Sequence, residues 1–141
     1  MATQLTDTIV FPKNCTAYIF GTATSGTMQE VKVKVQDTDG DDENECTFKA
    51  LNRPLVVTGG GLGFMDQEAV VITADGTDDR QLEIIFKALG SDGKPQMMKG
   101  FKKDKHVPVN WVTNYTYCTE DSPAGGDDYH DTTLVVSFIN M

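Results

Sequence analysis

The sequence predicts an all-β sandwich, and three observations carry that expectation. Threonine occurs 17 times and valine 13 times in 141 residues, and both residue types are enriched in strands. The apolar residues fall in short alternating runs broken by Gly, Asp, Asn or Pro. About nine such runs, joined mostly by short turns, give the strand count of an antiparallel sandwich with Greek-key connections. A chain of this length has room for one core, so residues 1–141 are read as a single domain.

Taken in order, the expected strands are residues 8–11 and 16–22, then 31–35, where Val31, Val33 and Val35 alternate with Lys32 and Lys34. Residues 46–50, 55–58 and 68–73 follow. The segment 80–89 fits two periods. Leu82, Ile85, Phe86 and Leu89 have helical spacing, whereas Leu82, Ile84, Phe86 and Ala88 alternate as in a strand. The β-favouring run Ile84-Ile85-Phe86 in an otherwise β chain decides for strand. Residues 111–117 place Trp111, Thr113, Tyr115 and Tyr117 on one side, and 133–139 supply the last strand.

Composition narrows the function. Twenty-one acids against twelve bases give a formal net charge of −9, a field that repels phosphate backbones and anionic lipid surfaces. Nucleic acid is therefore not an expected partner. No apolar stretch reaches the roughly 20 residues needed to cross a bilayer, so membrane insertion is not expected either. The start of the chain shows no basic residue ahead of an apolar run. The default expectation is cytoplasmic residence, with any release by a route independent of a signal peptide. Cys15, Cys46 and Cys118 are far apart and odd in number, and are expected as buried thiols.

Several segments invite a chemical reading and fail it. The acidic run 37–45 has Asp42 and Phe48 where a calcium loop of the EF-hand type needs Gly and Glu, so a solvated hairpin loop is expected. Residues 75–79 are read as a turn in the same way. Gly59 to Gly63 lacks the Lys-Ser/Thr of a phosphate loop and is read as a flexible or bulged connection. Lys99, Lys102, Lys103, Lys105 and His106 are read as a solvated edge or an intersubunit contact. His106 and His130 are the only histidines, and no nucleophile motif accompanies them, so an enzyme is not expected.

The segment 120–131 is different. It holds Glu120, Asp121, Asp127, Asp128 and Asp131, with Pro123, Gly125 and Gly126 freeing the backbone to wrap, directly before the last strand. Hard divalent cations take oxygen ligands from a tight loop, and calcium is the natural candidate.

Glu120-Asp121, a glycine-containing stretch, Asp128-Tyr129-His130-Asp131 and then ten residues to the chain end resemble the two-calcium fucose- and mannose-binding lectins of bacteria, the fucose-binding lectin II family. Phe11-Pro12-Lys13-Asn14 and the run from Ser25 through Val33 resemble the family's first strands and sugar loop. Arg80 to Lys87 followed by Gly93-Lys94-Pro95 resembles its middle hairpin. The resemblance covers most of the chain, with insertions near 37–45 and 97–107.

The resemblance implies a β-sandwich lectin that is at least dimeric, a homodimer or homotetramer. It implies two calcium ions held by Glu120, Asp127, Asp128 and Asp131, the Thr24 carbonyl and the Met141 carboxylate of a second chain. Sugar hydroxyls of fucosides or mannosides would complete the coordination, with Ser25, Gly26, Asp121, Asp128 and Asp131 at the sugar. Two positions depart from the family pattern: His130 stands in place of Asn, and Gly126 in place of a ligating Asp, which a local shift would replace with Asp127. Imidazole is a poor calcium ligand, so His130 bears on one of the two sites. The same departures fit a second function class, a structural or self-assembling protein of lectin fold without sugar binding.

Overall fold

The computed structural model describes residues 2–40, 42–61, 64–65, 67–124 and 129–140. Among these there is no helix, and eleven strands form two antiparallel sheets. The strands are β1 (Leu5–Phe11), β2 (Cys15–Ala23), β3 (Met28–Gln36), β4 (Asp42–Ala50), β5 (Val56–Gly60) and β6 (Phe64–Met65). They continue with β7 (Ala69–Ile72), β8 (Arg80–Leu89), β9 (Gly100–Val109), β10 (Val112–Glu120) and β11 (Thr132–Asn140). One sheet has the order β1-β8-β3-β4-β5, the other β6-β7-β2-β11-β10-β9. In each, three hairpin-connected strands are joined by a distant fourth beside the end one, β8 beside β3 and β2 beside β11, which is the Greek-key arrangement.

The nine expected strands all exist, and two more join them. Period 2 sets the core. On β3, Val31, Val33 and Val35 are buried, and on β8 so are Leu82, Ile84, Phe86 and Ala88, which settles the 80–89 segment as strand. These residues meet Ile19, Leu134, Val136 and Phe138 of the facing sheet in one cluster. At about 25 cal/mol per Å² of apolar surface, each such large side chain contributes roughly 1.5–3 kcal/mol. Tyr117 adds a polar link across the sandwich: its hydroxyl donates to Asp7 Oδ2 at 2.6 Å, and Lys103 Nζ lies 2.9 Å from the same oxygen.

Two expectations need correction. Trp111 is not part of a strand. It sits in the turn between β9 and β10 and is 52% exposed, because the hairpin reverses at Asn110 and Trp111. Cys118 is only half-buried, although Cys15 and Cys46 are buried as expected and all three are free thiols. Tyr117 points inward on β10, so its neighbour Cys118 faces outward.

Residues 37–40 make the β3–β4 hairpin turn, with Gly40 at a φ of 84° and its N–H donating to the Asp37 carbonyl at 3.1 Å; Asp41 lies outside the described residues, and residues 42–45, expected in the loop, belong instead to β4, paired with β3. Gly59 and Gly60, expected in a connection, belong to β5 and pair with Thr47 and Cys46; at Gly60, with a φ of 102°, a Cβ would collide with the Glu45 carbonyl oxygen, so glycine is required there. Leu62 and Gly63 lie outside the described residues. The basic segment becomes β9, a largely exposed edge strand, with Phe101 turned back against Phe86 and Tyr117.

Candidate functional site

The strand register brings three chain segments to one end of the sandwich. The β2–β3 connection carries Thr24, Ser25 and Gly26, the β10–β11 connection runs from Asp121 to Asp131, and Gln96 arrives from the stretch between β8 and β9. Backbone bonds fix the neck of the acidic loop: Asp131 N–H donates to the Thr119 carbonyl at 2.9 Å, and Thr132 N–H to Thr119 Oγ1 at 3.0 Å. The two connections are tied together by Thr24 N–H donating to the Asp131 carbonyl at 2.9 Å and by the Thr24 hydroxyl donating to the His130 carbonyl.

At this neck Glu120, Asp121 and Asp131 are all buried, each offering a carboxylate oxygen within 4.8 Å of the others. Asp121 Oδ2 accepts from Ser25 Oγ at 2.5 Å and from Gln29 Nε2 at 2.9 Å. Asp131 Oδ2 accepts from the Asp121 N–H at 2.9 Å. Burial pushes the Asp121 carboxyl above its ordinary value. The Ser25 hydrogen bond pulls it back, and the charge of Asp131 adds to the upward shift. Three like charges this close and this dry are costly without a compensating cation. An all-oxygen donor set of carboxylates is also what a hard divalent ion takes. The residues present therefore fit a metal such as calcium, with Glu120, Asp121 and Asp131 as those that could hold it.

Of the residues expected at the site, Glu120, Asp121 and Asp131 come together, with Thr24 and Ser25 bonded to the loop that carries them. Gly26 is exposed beside Ser25, with open space around it. Asp127, Asp128 and Met141 lie outside the described residues. His130 is exposed, its Nδ1 3.1 Å from the Thr24 hydroxyl. Asp121 was expected at the sugar, and its position among the other two carboxylates makes it equally a candidate metal ligand.

Gln29, Gln96 and Thr132 escaped sequence reasoning. Gln29 is completely buried; besides Asp121 it binds the Thr27 carbonyl through Nε2 at 3.0 Å and accepts from Thr132 Oγ1 at 2.8 Å. A signal for it existed, because residue 29 is in phase with Val31, Val33 and Val35 on the inward face of β3. A polar residue in that phase must have buried partners. Gln96 Nε2 donates to the Asp121 carbonyl at 3.3 Å, a contact that local sequence does not reveal.

No family model matches the chain, and no curated protein sequence is similar to it. Solved structures are. The C-terminal domain of the lectin BC2L-C from Burkholderia cenocepacia superposes with a TM-score of 0.60 at 14% identity, over 95% of this chain and 96% of that one. The Chromobacterium violaceum lectin CV2L, solved in complex with α-methyl-fucoside, gives 0.53 at 14% identity over 92% and 93%. At such identities the likeness speaks for the fold: this chain has, over nearly its whole length, the β-sandwich fold of bacterial lectins.

Proposed function

We propose that the protein is a non-enzymatic carbohydrate-binding lectin that recognises fucose- or mannose-type monosaccharides through calcium. The observation that carries this reading is the buried triad Glu120, Asp121 and Asp131 at the neck of the β10–β11 loop, in a fold shared with a lectin solved with α-methyl-fucoside. Calcium bound there would neutralise the buried charge and offer open coordination positions to paired sugar hydroxyls. Ser25, whose hydroxyl is held against Asp121, and the exposed Gly26 form the lip at which a sugar would sit. Asp127, Asp128 and the Met141 carboxylate of a second chain would complete the ligand set. A homodimer or homotetramer is supported by the outer face of the six-stranded sheet, where Tyr18 and Phe20 of the central strand β2 are 38% and 45% exposed.

Calorimetric titration with calcium before and after chelation, followed by a glycan array with calcium present, tests the reading. Binding of calcium with reproducible retention of fucosides or mannosides is the expected result. Absence of calcium binding below millimolar overturns the metal-bridged mechanism.

A second reading has its own observation. Ser25 and Gln29 already satisfy Asp121 Oδ2, and Asp121 N–H satisfies Asp131 Oδ2, so the neck has internal partners. A structural or self-assembling protein of this fold would bind no glycan on the array, and a positive array removes it.

A further inference from the structure

Two concavities share a wall, and the first opens beside the acid cluster. The first, of about 370 Å³, is lined by Gly26, Thr27, Met28, Leu51, Leu89 and Gln96 among others. The second, of about 520 Å³, is lined by Lys49, Arg53, Val56 and Thr58, and again by Met28 and Leu51. They make one groove crossing the ridge of Met28 and Leu51. Its near end adjoins the proposed sugar site through Gly26, which follows Ser25 in the chain, and through Gln96, whose Nε2 donates to the Asp121 carbonyl.

Resting on the lectin reading, we infer that this groove is an extended subsite for the second and following residues of an anionic oligosaccharide whose first residue sits at the acid cluster. The ridge supplies the apolar part. Leu51 is 47% exposed on a connection where the next residue, Asn52, holds a left-handed φ of 50°, and a side chain so displayed suits the C–H face of a pyranose ring.

The far end supplies the charge. On a chain of net charge −9, the described residues that line this lobe include two cations and no acid. Glu30 does not cancel them: it lies 3.7 Å from Lys49 and 3.9 Å from Lys87 and is shared between the two. Arg53 is exposed and presents the planar donor set that suits a carboxylate or sulfate ester.

The test measures binding of three probes in calcium, α-methyl-fucoside, Lewis a trisaccharide and its 3′-sulfated form, to the native chain, Leu51→Ala and Arg53→Gln. Both substitutions are at exposed positions, and melting curves verify that each variant folds. The expected pattern has α-methyl-fucoside binding all three chains equally. Leu51→Ala should weaken both trisaccharides by at least about threefold. The native chain should prefer the sulfated form, a preference that Arg53→Gln removes and that falls with added salt. If α-methyl-fucoside binds while neither substitution changes either trisaccharide, the groove inference alone is overturned. If no probe binds the native chain, the sugar reading falls and takes the groove with it.

Discussion

Replacing Asp121 with Asn should raise the stability of the metal-free protein and abolish its response to calcium. Asp121 Oδ2 accepts from Ser25 and Gln29, and an amide oxygen can accept both. The amide nitrogen then faces the remaining carboxylates and donates where a second anion stood. The charge removed lies within 4.8 Å of carboxylate oxygens of both Glu120 and Asp131. At an effective dielectric of 20 each such pair repels by about 3.5 kcal/mol.

That figure is an upper bound, because Ser25 and Gln29 already donate to Asp121 Oδ2 and offset part of its charge. The net gain lies below that bound, and each kcal/mol of it raises the melting temperature by roughly 3–5 °C for a chain of this size. Calcium at a hundred times its dissociation constant would stabilise the native chain by about 2.7 kcal/mol, and this increment should vanish in Asp121→Asn. Paired melting curves in chelator and in excess calcium measure both effects. A variant that melts lower in chelator and keeps the calcium increment would refute the argument, since Asp121 would then be neither strained by its neighbours nor needed for calcium.

A C-terminal Gly-Ser extension should leave melting in chelator unchanged and remove the calcium increment, if the Met141 carboxylate is a ligand; an undiminished increment excludes it. Burial pushes the Cys46 thiol up to about 12 from its ordinary 9. The unfolded chain therefore loses this proton above pH 9 while the folded one keeps it. Stability should fall by at most about 1.4 kcal/mol per pH unit between 9 and 12 from this group, a slope that Cys46→Ala removes in pH-dependent urea titrations. In the native protein iodoacetamide should label the half-buried Cys118 before Cys15 and Cys46, and mass spectrometry of the labelled peptides reads the order. His130→Asn should raise the number or affinity of bound calcium ions in calorimetric titration; an unchanged isotherm means that residue 130 contributes no ligand.

Where a strand buries one apolar face, the sequence displayed it, as on β3 and β8. The edge strand β9 was not read as a strand because its lysines follow no period and only Phe101 turns toward the core. A two-residue strand such as β6 is too short for any periodicity. Trp111 misled because its aromatic ring extended the alternation of Tyr115 and Tyr117 past the point where the hairpin turns. For Cys118, the alternation that buries Tyr117 already placed it outward, and the general tendency of cysteine to be buried lost to strand phase. At the site, the acids were legible by composition. The burial of Gln29 is legible from its phase on β3, but its bond from Thr132 is not, since that bond depends on how the two sheets face each other.

The acidic loop divides into a neck and a middle, and the two depend on different things. At the neck, Thr119, Asp121, Asp131 and Thr24 are fixed by bonds that belong to the ends of β2, β10 and β11. Changing residues between 122 and 130 leaves those bonds in place. The departures from the lectin pattern, Gly126 and His130, fall in that interval, whereas Glu120, Asp121 and Asp131 stand at its edges. A bond from the Thr24 hydroxyl reaches the carbonyl of residue 130 and therefore survives any side chain there. The three buried carboxylates are thus placed by strand register and not by the residues between 122 and 130. The neck alone offers three carboxylates to one cation, so a second ion would rest on what the middle of the loop and the partner chain supply.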